Sequence, residues 1–159
     1  MKQERSPFVA DKLRQPLTRS AWHGCLVDFS LACAGADEAE QAALVRELRD
    51  LLIAAPGGRA LAGTRLPRAR DFEAMVSAGA CASAVMAMLE HDAGYLLSRG
   101  PGSLCLASVI LPGRREETSA SGDTPALALA AALALALETR PTARIELAIG
   151  ARPNPTLLN

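Results

Sequence analysis

"GDTPALALAAALALALE", residues 122–138, decides the fold. Thr124 is a good N-cap, because its hydroxyl can accept a hydrogen bond from a first-turn backbone N–H. Pro125 then falls at the first helical position, where its fixed φ fits and its missing N–H is no loss. Ala and Leu have among the highest helix propensities of any residues. The run Ala126–Leu137 gives about 18 Å of helix at roughly 1.5 Å per residue. A membrane hydrocarbon core requires about 30 Å, or roughly 20 apolar residues, and Arg140 and Pro141 end the segment well short of that. It is not a membrane span. A helix that is apolar around its whole circumference must be enclosed by other elements, so the stretch predicts a buried, central helix.

The residues before it predict the sheet that encloses it. "YLLSR" (95–99) and "SLCLASVILPG" (103–113) are two strands separated by Gly100-Pro101-Gly102, a turn with hairpin character. In the second strand Leu104, Leu106, Ser108 and Ile110 alternate with Cys105, Ala107, Val109 and Leu111, so both faces are largely apolar and the strand belongs at the centre of a small sheet. "RREETSASG" (114–122) is polar and suits an edge strand or a loop, its charges discouraging pairing with another chain. The tail adds a candidate strand over 143–149, where Ile145, Leu147 and Ile149 alternate with Arg144, Glu146 and Ala148.

Further upstream, "ADEAEQAALVRELRDLLIAAPGG" (36–58) carries Leu44, Val45, Leu48, Leu51 and Leu52 on one helix face and Gln41, Arg46, Glu47, Arg49 and Asp50 on the other. Asp37 and Glu40 have the spacing of a capping box, and Pro56, Gly57 and Gly58 stop the helix. "DFEAMVSAGACASAVMAMLEHDAG" (71–94) predicts another helix, with Gly79 permitting close packing and Gly94 closing it. "WHGCLVDFSLACAG" (22–35) is ambiguous. Its apolar residues fit period two (Cys25, Val27, Phe29, Leu31, Cys33) and helical spacing (Trp22, Leu26, Phe29, Cys33); we favour the helix, because no neighbouring strand partner is evident.

The expected architecture is therefore α+β: a small antiparallel sheet of two to four strands packed against Ala/Leu-rich helices. A single domain is expected over residues 21–150, with a loosely ordered arm over 1–20 and an irregular tail over 151–159. The arm has no apolar signal-peptide core, so the expected location is cytoplasmic. At 159 residues, half of them apolar but only 3% aromatic, the core must be made of Ala, Leu, Val and Met, which favours close helix packing over a ring-lined ligand cavity.

From residue 71 to about 138, the pieces "GYLLSR", "LASVILPG" and "GDTPALALAAALALAL" resemble the small α-β-β-β-α "ABA sandwich" modules of phage and prophage proteins. Asp123, Thr124, Pro125, Ala126, Leu127, Ala128 and Leu129 carry the likeness, which covers under half of the chain. It implies a helix, a three-stranded sheet and a buried Ala-rich helix, and it implies no catalytic residue. Double-stranded-RNA-binding domains share this order of elements, but their last helix opens with lysines that clamp phosphates. This chain has "TPALAL" there and no lysine after Lys12.

Chemistry is sparse. Basic and acidic residues balance at 17 each, which disfavours a protein devoted to neutralising phosphates. Cys25, Cys33, Cys81 and Cys105 show no CxxC or zinc-ligand spacing with His23 or His91, so buried unpaired thiols are expected and no metal site. His23 and Cys25 are the weakest of three functional readings, an enzyme. Arg65, Arg68 and Arg70, joined by Arg114 and Arg115, could contact an anion or a partner if the loop before the second helix lies near the sheet's hairpin. Nucleic-acid binding through these arginines is the alternative to the leading expectation, a non-enzymatic interaction or structural module without a cofactor that contacts a protein partner or itself; the resemblance implies a prophage origin.

Overall fold

The computed structural model describes residues 17–57 and 61–138. In chain order it contains α1 (Arg19–Ala34), α2 (Gln41–Ile53), α3 (Ala69–Ser77), α4 (Cys81–Met86), β1 (Gly94–Arg99), a 3-10 turn (Pro101–Ser103), β2 (Cys105–Ile110), β3 (Thr118–Gly122) and α5 (Pro125–Glu138). The fold is α+β. Its antiparallel sheet has the order β1-β2-β3, with β2 central as its two apolar faces required. Tyr95 stands opposite Val109 and Leu97 opposite Ala107, while Ala107 also faces Ala120 on the other side.

α5 is the hub. The Thr124 hydroxyl accepts from the Leu127 N–H at 3.2 Å, the cap its sequence predicts. Every residue from Ala126 to Ala134 is at most 1% exposed. β2 and β3 cover one side of the helix, α1 runs against another, and α2 and α4 close the remainder. A helix with no polar face is satisfied only by such an enclosure.

The ambiguity in 22–35 resolves as a helix, with Trp22, Leu26, Phe29 and Cys33 buried at helical spacing and Leu31 on the outside. This helix begins at Arg19, inside the stretch expected to be a loose arm, because Thr18 caps it by accepting from the Ala21 N–H. The Trp22 indole N–H donates to the Leu51 carbonyl at 2.8 Å and so ties α1 to the end of α2. On α2 the predicted face, Leu44, Val45, Leu48, Leu51 and Leu52, is buried. Asp37 and Glu40 do form the reciprocal capping contacts, but around a turn that precedes the helix, which starts only at Gln41.

The expected single helix over 71–94 is corrected to two short ones. Gly79 adopts φ +76°, its N–H bonds to the Val76 carbonyl, and the Ala80 N–H bonds to the Met75 carbonyl. Those two bonds are a Schellman ending, which calls for a left-handed glycine. Gly79 therefore stops a helix where close packing had been expected. Gly94 likewise opens β1 instead of closing a helix, and a Cβ there would meet the Ile110 side chain at 2.7 Å. β3 is an edge strand, but the charges Arg114 to Glu117 lie in the connection before it. Residues 1–16, the candidate strand over 143–149 and the 151–159 tail lie outside the described residues.

Candidate interaction surface

Strand periodicity divides the sheet into two unlike faces. Cys105, Ala107 and Val109 point towards α5 and are buried. The intervening residues, together with Leu96 and Ser98 of β1 and Ser119 and Ser121 of β3, share the opposite face by register. On that outer face Leu96 is 62% exposed, Leu104 53%, Leu106 46% and Ile110 36%. Leu104 is extended and continues the alternation into the turn before β2.

The register places these four side chains in one strip. Leu96 pairs with Ser108, and Ser98 pairs with Leu106, so Leu96 and Leu106 are diagonal neighbours; Gly94, opposite Ile110, leaves room for the isoleucine. The β3 half of the face is made of serines. Ser108 and Ser119 join hydroxyl to hydroxyl at 2.7 Å and so satisfy each other. No outward position of the three strands carries a charge. Alternation made both faces of β2 legible as apolar in the sequence, but only the tertiary structure shows that the helices cover one of them.

The arginines predicted to form a contact surface are placed differently from one another. The loop before α3 does meet the β2–β3 connection, since Gly63 abuts Leu111 and Pro112. Backbone bonds from Arg65 N–H to the Met88 carbonyl and from Glu90 N–H to the Gly63 carbonyl fix that loop. The Arg65 guanidinium, however, donates to the Ala87 carbonyl at 2.9 Å, where it satisfies the end of α4. Arg68 is the N-cap position of α3 and Arg70 lies in its first turn, both exposed. Arg114 and Arg115 lie in the β2–β3 connection beside Glu116 and Glu117, a stretch in which the charges cancel.

A concavity of about 420 Å³ opens at the start of α5 between Glu38, Gln41, Arg99, Ser103, Asp123 and Thr124. Its lining mixes both charges, and the Thr124 hydroxyl already serves as the cap. Glu90, His91 and Asp92 bring one ligand atom each within 4.8 Å of the others on an accessible turn.

All four cysteines are free; Cys33, Cys81 and Cys105 are buried and Cys25 is partly exposed. Burial, reinforced by the neighbouring Glu47, pushes the Cys33 thiol up to about 12, which leaves it protonated and unreactive at neutral pH. The His23 ring donates from Nδ1 to the Glu138 carbonyl at 3.0 Å and packs edge-on against Trp22, so it links α1 to the end of α5. The sequence did not reveal the ion pair between Arg46 and Glu73, which joins α2 to α3; the Nε contact is 3.0 Å. That bond holds the Glu73 carboxyl below its ordinary pKa. Among the described residues, no helix is long and apolar enough to cross a membrane. Compared with protein-family models, curated proteins and solved structures, the chain matches none of them.

Proposed function

We propose that the protein is a non-enzymatic interaction module and that its contact surface is the outer face of the three-stranded sheet. One observation carries this reading: Leu96, Leu104, Leu106 and Ile110 form a contiguous exposed strip on a face without a charged residue. Water exacts roughly 25 cal/mol for each Å² of apolar surface left exposed, and a contiguous apolar patch, unlike scattered single side chains, marks a place where another molecule sits. Supporting a phage-derived role is the order helix, strand, strand, strand, helix over residues 81–138, which is the order implied by the ABA-sandwich resemblance, although the further helix α3 precedes it where the resemblance implies one helix. The arginines support nucleic-acid binding less well, because Arg65 is engaged in the fold and Arg114 and Arg115 adjoin two glutamates.

The test compares Leu106→Lys with Leu31→Lys, a substitution at a residue of α1 that is 67% exposed. Tagged full-length chains are purified from the native host and the stoichiometric companions are identified. The L106K chain is expected to lose companions that the wild type and L31K retain. Identical companions on all three chains would remove the outer face as the contact surface.

A further inference from the structure

We infer that Glu90, His91 and Asp92 form a binding site for a divalent ion of the zinc class, on the turn that leads into β1. One imidazole nitrogen and two carboxylate oxygens lie within 4.8 Å of one another there. None of the three residues belongs to the outer sheet face, so the site does not depend on what that face contacts.

Convergence is the first argument. Neighbouring side chains point to opposite faces in a strand and diverge by about 100° in a helix. Three consecutive residues therefore offer their ligand atoms to one point only where the backbone turns. Here it does: the Ala93 N–H bonds to the Glu90 carbonyl at 3.1 Å and closes the turn. The fold holds both ends. The Glu90 N–H donates to the Gly63 carbonyl at 2.9 Å, Leu89 is bridged to Thr64, and Gly94 is paired with Ile110. An ion has only side-chain ends to draw in.

Donor chemistry is the second. Ligands bound at about 2.0–2.2 Å to one zinc ion stand about 3–3.5 Å from each other. His91 Nδ1 is 3.8 Å from Glu90 Oε2, too long for a hydrogen bond and a side-chain rotation away from that spacing. The nitrogen distinguishes the cluster from an acidic patch. Imidazole suits zinc, copper, iron and nickel, whereas calcium and magnesium take oxygen ligands. Three protein ligands on one side leave the fourth position of a tetrahedral ion to water or to a group from another molecule.

Exposure sets the strength. Glu90 is half-buried, while His91 and Asp92 are exposed, so an ion reaches them without any opening of the fold. An imidazole that the surrounding structure does not orient binds less tightly than a buried one. The expected dissociation constant for zinc is about 10–100 µM.

Calorimetric titration of the full chain, freed of affinity tags and dialysed against a chelator, with zinc chloride tests this. One ion per chain is expected, and zinc is expected to shift the amide resonances of Glu90 to Ala93. His91→Ala and, independently, Asp92→Asn should each weaken binding at least tenfold, while His23→Gln follows the wild type; circular dichroism establishes that each variant is folded. Calcium chloride should bind at least tenfold more weakly than zinc. A dissociation constant above about 100 µM means an adventitious ion only and overturns the inference. Zinc binding that both folded variants at 91 and 92 preserve overturns it too, as does calcium binding as tight as that of zinc.

Discussion

Gly122, the last residue of β3, lies so close beneath the first turns of α5 that a Cβ on it would meet the Ala128 backbone nitrogen at 2.7 Å. The chain leaves the sheet at this point and turns back over it, and only a residue without a side chain lets the helix settle onto β3. Gly122→Ala places a methyl group against backbone, which cannot rotate away. The expected loss is about 1–3 kcal/mol, the usual cost of overpacking a close contact, measured as a lower urea midpoint with an unchanged slope.

Thr124 supplies the other half of that junction. Thr124→Ala removes the acceptor for the Leu127 N–H and is expected to cost about 1 kcal/mol, a fall in Tm of roughly 2–4 °C for a chain of this size. Thr124→Ser keeps the hydroxyl and should recover most of the loss. If serine and alanine melt alike, the hydroxyl is not what starts the helix.

Gly79 isolates backbone conformation from packing, because a Cβ at this position meets nothing within 4 Å while φ stands at +76°. Gly79→Ala is expected to destabilise by about 1 kcal/mol through the left-handed conformation alone, and Gly79→Asn by less. Equal thermal melts for all three chains would show that the α3–α4 break does not need this conformation.

The Cys33 thiol makes a pH-dependent contribution. Its folded-state pKa of about 12 lies above the ordinary thiol value of 9.0, so the folded chain holds the proton after the unfolded chain has released it. The contribution is complete below pH 9 and disappears as pH rises from 9 towards 12, by up to about 4 kcal/mol at roughly 1.4 kcal/mol per pH unit. Cys33→Ala should be less sensitive to alkali than the wild type. A thiol reagent at pH 8 should modify partly exposed Cys25 first and reach Cys33 only on unfolding.

Glu47 has the same sign in a different range. Burial, helped by Asp50, raises its carboxyl above the ordinary value, so the stability it confers is present in acid and is lost as pH rises through the folded pKa. Glu47→Gln is expected to be more stable than the wild type at pH 7 and to have no advantage at pH 3, as read from paired urea titrations. An advantage of equal size at both pH values would contradict the cause.

The parts of this fold that were legible in the sequence are those in which local and global preferences agree. Thr124, Pro125 and the Ala/Leu run favour a helix at every level, and the Gly100-Pro101-Gly102 break separates two apolar strands. Legibility failed where one residue type can play two parts. Gly79 interrupts a helical period that the side chains around it continue, and only its positive φ distinguishes a stop from a packing notch. The apolar residues of 22–35 fit either periodicity until α5 lies beside them, Cys25, Val27, Phe29, Leu31 and Cys33 at period two and Trp22, Leu26, Phe29 and Cys33 at helical spacing. The proposed contact surface is half visible: alternation in 104–111 exposes two apolar faces, but which of them the helices cover is fixed by the crossover into α5, a nonlocal event. The arginines were visible as a group, while the fold assigns Arg65 to a carbonyl at the end of α4.

The central claim, that contacts are made through the outer face of the sheet, is most directly tested by amide ¹H–¹⁵N spectra of the full chain recorded before and after addition of the companions that co-purify with it. The expected shifts cluster on Leu96 and Ser98, on Leu104 to Ile110 and on Ser119 to Ser121, and are absent from L106K. Shifts gathered on Val27 and Leu31 of α1 or on Arg65 to Arg70, with none on the outer sheet face, would contradict it.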